Sequence, residues 1–203
     1  MSTIIFNCES ITPILMHGAD GASAELRPAS IKGILRFWWR AIHGNLPLDE
    51  LKKQEGEIFG SMDKKSSFGI KIQRYESIPK QFTIQFLNYR SFDIQSFFEL
   101  VVILGLFGQK GKGKQKTQGS IKVLKINNEK YTKTIDLNYI NTLIENFSSN
   151  YSKKKFKIEQ KKIKEEYPLV KDISVSKDNK LYINFIHSSK LQTIKKNLGN
   201  YNG

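Results

Sequence analysis

Basic residues recur along one segment of the chain at the spacing of a helical turn. Lys32, Arg36 and Arg40 follow one another at intervals of four, so on a helix their side chains share one face. Trp39 and His43 fall on the same side in this interpretation, and we expect all five side chains to be exposed. No acidic residue separates the three cations, and phosphate groups would relieve their mutual repulsion. Arginine suits that partner because its planar guanidinium binds phosphate in bidentate fashion.

This pattern predicts a nucleic-acid-binding helix face formed by Lys32, Arg36, Trp39 and Arg40, with Arg27 at its start. The alternative is a solvated surface on which Trp39 packs against a neighbouring subunit. The opposite face carries Ile31, Leu35, Trp38 and Ile42 at intervals of four, three and four. We expect that apolar face to pack on a sheet.

Glycine and lysine are interspersed in a second basic segment, GLFGQKGKGKQKTQGS, which covers residues 105–120. Glycines let a backbone approach a ligand closely and expose its N–H groups. The run lacks the GxxxxGK[ST] spacing of a nucleotide-binding P-loop. We predict that its lysines contact phosphates: Lys110, Lys112, Lys114 and Lys116.

Residue types that carry catalysis are sparse. The histidines are His17, His43 and His187, and Cys8 is the single cysteine. His17 could act as a general base in RNA cleavage, although a lone loop histidine is more often a bystander. The acids show no pairing suited to metal ions, and Cys8 has no companion at zinc-ligand spacing. We therefore predict no catalytic residues, no metal site and no cofactor.

The positive charge of the chain is concentrated in its second half. The formal net charge is +14; residues 1–100 carry 12 Lys and Arg against 11 Asp and Glu, whereas residues 101–203 carry 21 against 8. This asymmetry favours a polyanionic partner, although a general bias toward lysine would account for part of it. The start of the chain lacks the pattern of a secretory signal, and no apolar run could cross a bilayer. We expect a cytoplasmic protein without a membrane partner.

Hydrophobic periodicity predicts six elements in the first 127 residues. Two are helices, the first capped by Ser30 and ended by Gly44, the second capped by Asp93. Four segments alternate or are rich in β-branched residues and read as strands. The expected ranges in chain order are strand 3–8, helix 31–43, strands 67–74 and 82–89, helix 93–107 and strand 120–126. The order β-α-β-β-α-β predicts an α+β, ferredoxin-like fold with both helices on one face of an antiparallel sheet.

Periodicity is weaker after Asn127. We predict helices at 137–147 and 151–167, a hairpin made by 173–176 and 181–186, and a short tail. The predicted division is therefore a ferredoxin-like domain, 1–127, followed by a small lysine-rich α+β region, 128–203.

Four segments together resemble a known family. ELRPASIKGILRFWWRA (25–41) is similar to the first-helix signature of the RAMP subunit that opens the gene order of type III-B (Cmr) CRISPR effector complexes. ITPILMHGAD (11–20) and EIFGS (57–61) resemble flanking motifs of that family, and residues 105–120 lie where RAMP proteins carry a glycine-rich loop. The resemblance implies a ferredoxin-like (RRM-like) fold and a place in a guide-RNA complex, without a nuclease centre. Members usually have two such domains, so the region after Asn127 would be a reduced second one.

Three functions are compatible with these patterns. The resemblance favours a non-catalytic RNA-binding subunit whose partners are CRISPR RNA, target RNA and other RAMP subunits. A metal-independent RAMP endoribonuclease that processes CRISPR precursor RNA, with His17 or His43 as acid or base, is the alternative. A protein scaffold without salt-sensitive RNA binding is the third.

Overall fold

A computed structural model describes residues 1–12, 14, 26–44, 46–74, 80–104, 119–148, 169–176, 180–186 and 191–197. Its larger sheet is antiparallel throughout and has the strand order β2-β3-β1-β4-β5. The strands are β1 (Ser2–Ser10), β2 (Phe68–Arg74), β3 (Gln81–Asn88), β4 (Ile121–Ile126) and β5 (Glu129–Lys130). All four predicted strands are present, and their order is that of the split βαβ arrangement.

Four helices are described: α1 (Pro28–His43), α2 (Leu48–Phe59), α3 (Ile94–Leu104) and α4 (Leu137–Ser148). The predicted α+β class is therefore confirmed, with α2 inserted between α1 and β2. Ile31, Leu35, Trp38 and Ile42 are all buried, as their spacing predicted.

The start of α1 differs from the prediction. Arg27, not Ser30, occupies the N-cap position, with extended backbone angles, and its carbonyl oxygen accepts hydrogen bonds from the N–H groups of Ser30 and Ile31. Pro28 at the first helical position explains the difference, because its fixed φ suits a first turn and its missing N–H costs nothing there. The cap of α3 is confirmed, since the Ser96 N–H donates to Asp93 Oδ1 at 3.0 Å.

The sheet continues past Asn127 through a tight hairpin. Asn127 and Asn128 have φ values of 50° and 71°, the left-handed conformation that a two-residue type I′ turn requires and that asparagine tolerates. The side-chain oxygen of Asn127 also accepts a hydrogen bond from the Ile5 N–H at 2.9 Å. The turn therefore brings β5 onto the edge of the sheet beside β4.

Strands β6 (Leu169–Val175), β7 (Lys180–Ile186) and β8 (Leu191–Asn197) form a second antiparallel sheet. β6 and β7 are the predicted hairpin, whereas β8 lies where we expected only a tail. β6 packs against α1, and the buried side chains of Leu181 and Ile183 belong to the same apolar core as α1, α3 and α4. The predicted helix at 151–167 lies outside the described residues, and the domain boundary stays a prediction.

Helices α1, α3 and α4 lie on one side of the five-stranded sheet. Phe6 of β1 and Phe86 of β3 point to that side, with ring centroids 4.6 and 5.0 Å from the Phe98 ring of α3. Phe147 of α4 packs on Phe97 of α3 at 5.0 Å. Within the described residues, no helix is both long and apolar enough to cross a membrane.

Candidate nucleic-acid interface

The predicted cations of α1 lie along the side of the helix that faces α2. The side chains of Arg36 and Arg40 are 35% and 25% exposed, and Lys32 is also half-buried. Helical spacing thus places them in one row, as predicted, but the row follows the joint between two helices instead of an open helix face.

A carboxylate from α2 pairs with both arginines. Arg40 Nη2 donates to Glu55 Oε1 at 2.6 Å, and Arg40 Nε donates to Oε2. Arg36 Nε lies 3.1 Å from Glu55 Oε1. The Glu55 side chain is only 9% exposed, so its charge depends on these guanidinium groups. Because the row has three cations and Glu55 pairs with two of them, Arg36 and Arg40, the row keeps an excess of positive charge.

Arg36 also binds the backbone at the end of α2. Its Nη2 donates to the Gly60 carbonyl oxygen at 2.9 Å. Gly60 has a φ of 89°, and a Cβ there would lie 3.1 Å from the Lys64 carbonyl oxygen and from the Ser66 nitrogen. A side chain is therefore excluded for both conformational and steric reasons. This requirement gives the EIFGS motif a structural role in holding α2 against α1.

Two phenylalanine rings lie beneath the row. The Lys32 Nζ is 5.7 Å from the Phe68 ring centroid, and the Arg36 Cζ is 5.7 Å from that of Phe59. These distances allow cation–π attraction. Burial, and secondarily the Arg36 charge, lowers the pKa of Lys32 from 10.5. An anion placed beside this row would oppose that shift, because a nearby negative charge favours the protonated amine.

Trp39 and His43 contradict the predicted exposed face, because both are in the core. Trp39 has no exposed surface and His43 is 4% exposed. Their rings stack with centroids 4.3 Å apart, and His43 also contacts Phe147 of α4. The physical reason is that α1 is covered on more than one side, by α2, α3 and β6, so its apolar stripe is wider than one sheet would require. Trp39 is therefore unavailable for stacking on a base.

His43 cannot act as a surface acid or base in this fold. Its Nδ1 lies 2.8 Å from the Trp39 carbonyl oxygen, and because a carbonyl only accepts, Nδ1 carries the hydrogen. Burial lowers the pKa of His43 to about 4, partly opposed by that hydrogen bond. The ring is therefore neutral near neutral pH.

The structure describes only some of the remaining predicted residues. Arg27 is half-buried at the start of α1. His17, His187 and the four lysines of the glycine-rich segment, Lys110, Lys112, Lys114 and Lys116, lie outside the described residues. Burial strongly raises the pKa of the Cys8 thiol. In the part of the chain that the structure describes, no three His, Cys, Asp or Glu side chains group closely enough to hold a metal ion.

Sequence analysis missed Glu55 and Gly60. A signal for Glu55 was present, because Leu51, Glu55 and Ile58 follow at intervals of four and three, which places the acid on the buried face of α2. A buried acid requires a partner, and the arginine row of α1 was one cationic candidate in the chain.

The family comparison covers nearly the whole chain: the family model described as "RAMP superfamily" matches residues 7–197. Two curated relatives from Pyrococcus furiosus are similar to shorter parts. The CRISPR system Cmr subunit Cmr1-2 is 45% identical over 69 residues, which are 32% of this chain and 37% of that protein. Cmr subunit Cmr1-1 is 32% identical over 110 residues, 52% of this chain and 31% of that protein. The matched regions thus span only about a third of each relative.

Solved structures of related assemblies show weak overall similarity. The apo crystal structure of Cmr1 from Pyrococcus furiosus has a TM-score of 0.45 and 22% identity, covering 64% of this chain and 51% of that one. A chain of the type III-B Cmr-beta complex bound to cognate target RNA, solved by cryo-EM, has a TM-score of 0.48 and 10% identity, covering 90% and 70%.

Proposed function

Because the chain belongs to the RAMP superfamily, we propose that it is a non-catalytic RNA-binding subunit of a type III CRISPR effector complex. Its partners would be CRISPR RNA, target RNA and other RAMP subunits, in the cytoplasm. The similarity of parts of this chain to two Cmr subunits supports the assignment to a type III-B complex.

The observation that carries RNA binding is the half-exposed row Lys32, Arg36 and Arg40, in which cations outnumber the single buried acid Glu55. A guanidinium that binds one carboxylate is held in a fixed orientation. Its remaining N–H donors then point in fixed directions, which favours recognition of a second oxyanion. Arg27 and the lysines at 110, 112, 114 and 116 would add phosphate contacts.

The alternative, a metal-independent ribonuclease, loses one of its two candidate residues, because His43 is buried and neutral. His17 remains the candidate for an acid or base. Incubation of the purified protein with end-labelled repeat RNA should yield a salt-sensitive complex on native gels and intact RNA on denaturing gels. Specific cleavage that disappears in His17→Ala would establish the ribonuclease instead.

The role of the α1 row is tested by comparing two lysines. Lys32→Ala removes a cation from the row, whereas Lys52→Ala removes one from the exposed side of α2. If Lys32 contacts a phosphate of single-stranded RNA, its loss should reduce the dependence of log K on log salt by about 0.7. Lys52→Ala should leave the slope unchanged. If both variants and the parent show the same slope of log K against log salt, the row does not contact RNA.

A further inference from the structure

The face of the five-stranded sheet opposite the helices is polar and cationic. Strand register places one row of side chains across all five strands on this face: Gln73, Thr83, Asn7, Lys125 and Lys130. Asn7 Nδ2 lies 3.4 Å from Thr83 Oγ1 within the row. Described helices α1, α3 and α4 all pack on the other side, and Lys71, Gln73 and Lys125 are exposed.

Charge on this face is strongly one-sided. By register, Lys71 lies beside Gln85, Lys122 lies beside Glu9, and Lys125 lies beside both Asn7 and Lys130. Among the described strand residues of this face, Glu9 is the one acid, and there are four lysines: Lys71, Lys122, Lys125 and Lys130. Side chains two residues apart on a strand, or on adjacent strands, lie about 5–7 Å apart. Lys122, Lys125 and Lys130 therefore form one cluster on β4 and β5, whereas Lys71 lies three strands away on β2, about 14 Å at about 4.8 Å per strand. An extended polyanion that crosses the sheet can contact both.

An aromatic ring lies on the same face, at the end of β2. Gly69 is paired with Leu87, which faces away from the helices, and a Cβ on Gly69 would lie 2.7 Å from Tyr89 Oη and 3.4 Å from Tyr89 Cζ. The Tyr89 side chain therefore lies directly over the Gly69 backbone, in space that any other residue at 69 would fill. The ring is nevertheless 50% exposed. A half-exposed ring whose hydroxyl end is held against the backbone can receive a planar ligand.

We propose that this sheet face is a second binding surface for single-stranded RNA, with Tyr89 stacking on a base and Lys71, Lys122 and Lys125 contacting the phosphates. The inference rests on the proposed function and extends it to a surface separate from the α1 row. Every base has a π-face, so stacking tolerates any sequence while the lysines follow the backbone. Ile5 and Leu87 contribute little apolar area beside these charges, which disfavours a protein partner, since the centre of a protein interface is depleted in charge.

The experiment measures binding of a fluorescein-labelled oligouridylate to the purified full chain. Tyr89→Ala should weaken affinity about 5- to 100-fold, the range for loss of one base–aromatic stack, whereas Tyr89→Phe should keep most of it. Lys71→Ala/Lys125→Ala should lower the salt dependence by up to about 1.4, corresponding to two phosphate contacts. Lys52→Ala/Lys53→Ala removes the same charge from α2 and should change neither quantity. Thermal melts of the variants confirm that each is folded.

A second measurement does not depend on any variant. Ultraviolet crosslinking of an oligouridylate that contains 4-thiouridine, followed by trypsin digestion, should label the peptide Gln81–Arg90, which ends one residue after Tyr89. RNA binding that is unaffected by the Tyr89 and lysine variants, without this crosslink, would overturn the inference and leave the proposed function standing. An absence of RNA binding by the parent would overturn both. If the Tyr89 and lysine variants bind RNA like the parent but lose a protein partner, the face is a protein interface and the proposal is refuted.

Discussion

Individual side chains of α1 have a structural role besides the RNA contact that we propose for them, and their types alone do not distinguish the two. Arg36 and Arg40 hold Glu55, so they stabilise the α1–α2 joint whether or not RNA is present. On the exposed face that the sequence spacing predicted, both arginines could be removed without loss of stability. Any RNA-binding measurement on arginine variants must therefore be read together with their stability.

Arg40→Ala should lower the free energy of unfolding by about 1–3 kcal/mol, because the buried Glu55 carboxylate then keeps only Arg36 of its two arginine partners in this row. Urea denaturation followed by circular dichroism measures the change. Arg40→Ala/Glu55→Gln removes the charge together with its partner and should regain part of the loss. Equal stability of Arg40→Ala and the parent would contradict the pairing.

His43 should make the fold sensitive to acid. Its folded pKa of about 4 lies below the ordinary histidine pKa of 6.5, so the unfolded chain binds a proton first as pH falls. The contribution of the neutral His43 ring to the free energy of unfolding is complete above pH 6.5. It decreases by about 1.4 kcal/mol per pH unit between pH 6.5 and about pH 4. Urea midpoints measured across that range should fall more steeply for the parent than for His43→Leu, which cannot titrate. Parallel profiles would show that the histidine is not buried as a neutral ring.

At the scale of elements, the turn after α2 determines how α1 and α2 meet. Gly60 supplies the positive φ and accepts the Arg36 hydrogen bond with its carbonyl oxygen. Phe59, the last residue of α2, carries one of the rings beneath the cation row. The row therefore depends on a backbone conformation outside the helix that carries the cations.

Two glycines provide a matched test of this turn. Gly60→Ala should destabilise the protein by about 1–3 kcal/mol, because its Cβ is both strained and crowded. Gly33→Ala lies on the exposed side of α1 with nothing within 4 Å of the new Cβ, so it should stabilise by about 0.5–1 kcal/mol. Thermal melts of both variants check the opposite signs. A stable Gly60→Ala protein would mean that this turn does not fix the joint.

At the scale of the whole molecule, the region after Asn127 is joined to helix α3 by partly buried polar contacts as well as by the common core. Glu99 of α3 is 4% exposed and accepts hydrogen bonds from the Tyr139 hydroxyl of α4 and from Gln95 Nε2. The Tyr131 hydroxyl lies 3.3 Å from that of Tyr139. Burial, followed by the hydrogen bond to Glu99, raises the pKa of Tyr139, so the hydroxyl remains a donor.

Tyr139→Phe should therefore cost about 1.5–3 kcal/mol of stability, the range for a hydrogen bond to a charged group. The control is Tyr89→Phe, which removes a hydroxyl from a half-exposed ring and should change stability little. Denaturant titration of both proteins measures the difference. If Tyr139→Phe is as stable as the control, α4 is not held to α3 through Glu99.

The glycine-rich segment belongs to this scale because the RNA contact that we propose for its four lysines would add to the charge of the whole molecule. Replacing Lys110, Lys112, Lys114 and Lys116 with Ala should weaken RNA binding similarly for all sequences. The salt dependence should decrease by about 0.7 for each lost phosphate contact on single strands. Fluorescence polarisation over a salt series measures the slope, with Lys52→Ala/Lys53→Ala as the comparison for charge alone. An unchanged slope would indicate a passive linker.

The sequence by itself determined the elements whose signals are local. Alternation predicted β2 to β4, and β-branched and aromatic residues predicted β1. The spacing of Ile31, Leu35, Trp38 and Ile42 identified the buried face of α1, because strand and helix periods depend only on backbone geometry. Asp93 was found as a cap for the same reason, since its contact spans three residues. The motifs around α1 also identified the family that the comparison confirmed.

The tertiary structure alone decided which side chains of α1 are exposed. Helical spacing orders residues around an axis but does not say how many sides a helix buries, so Trp39 and His43 were predicted at the surface and lie in the core. The pairing of Glu55 with two arginines, and the position of Tyr89 over Gly69, join residues that are distant in the chain. Such contacts depend on how elements pack and on strand register, which a local pattern does not contain.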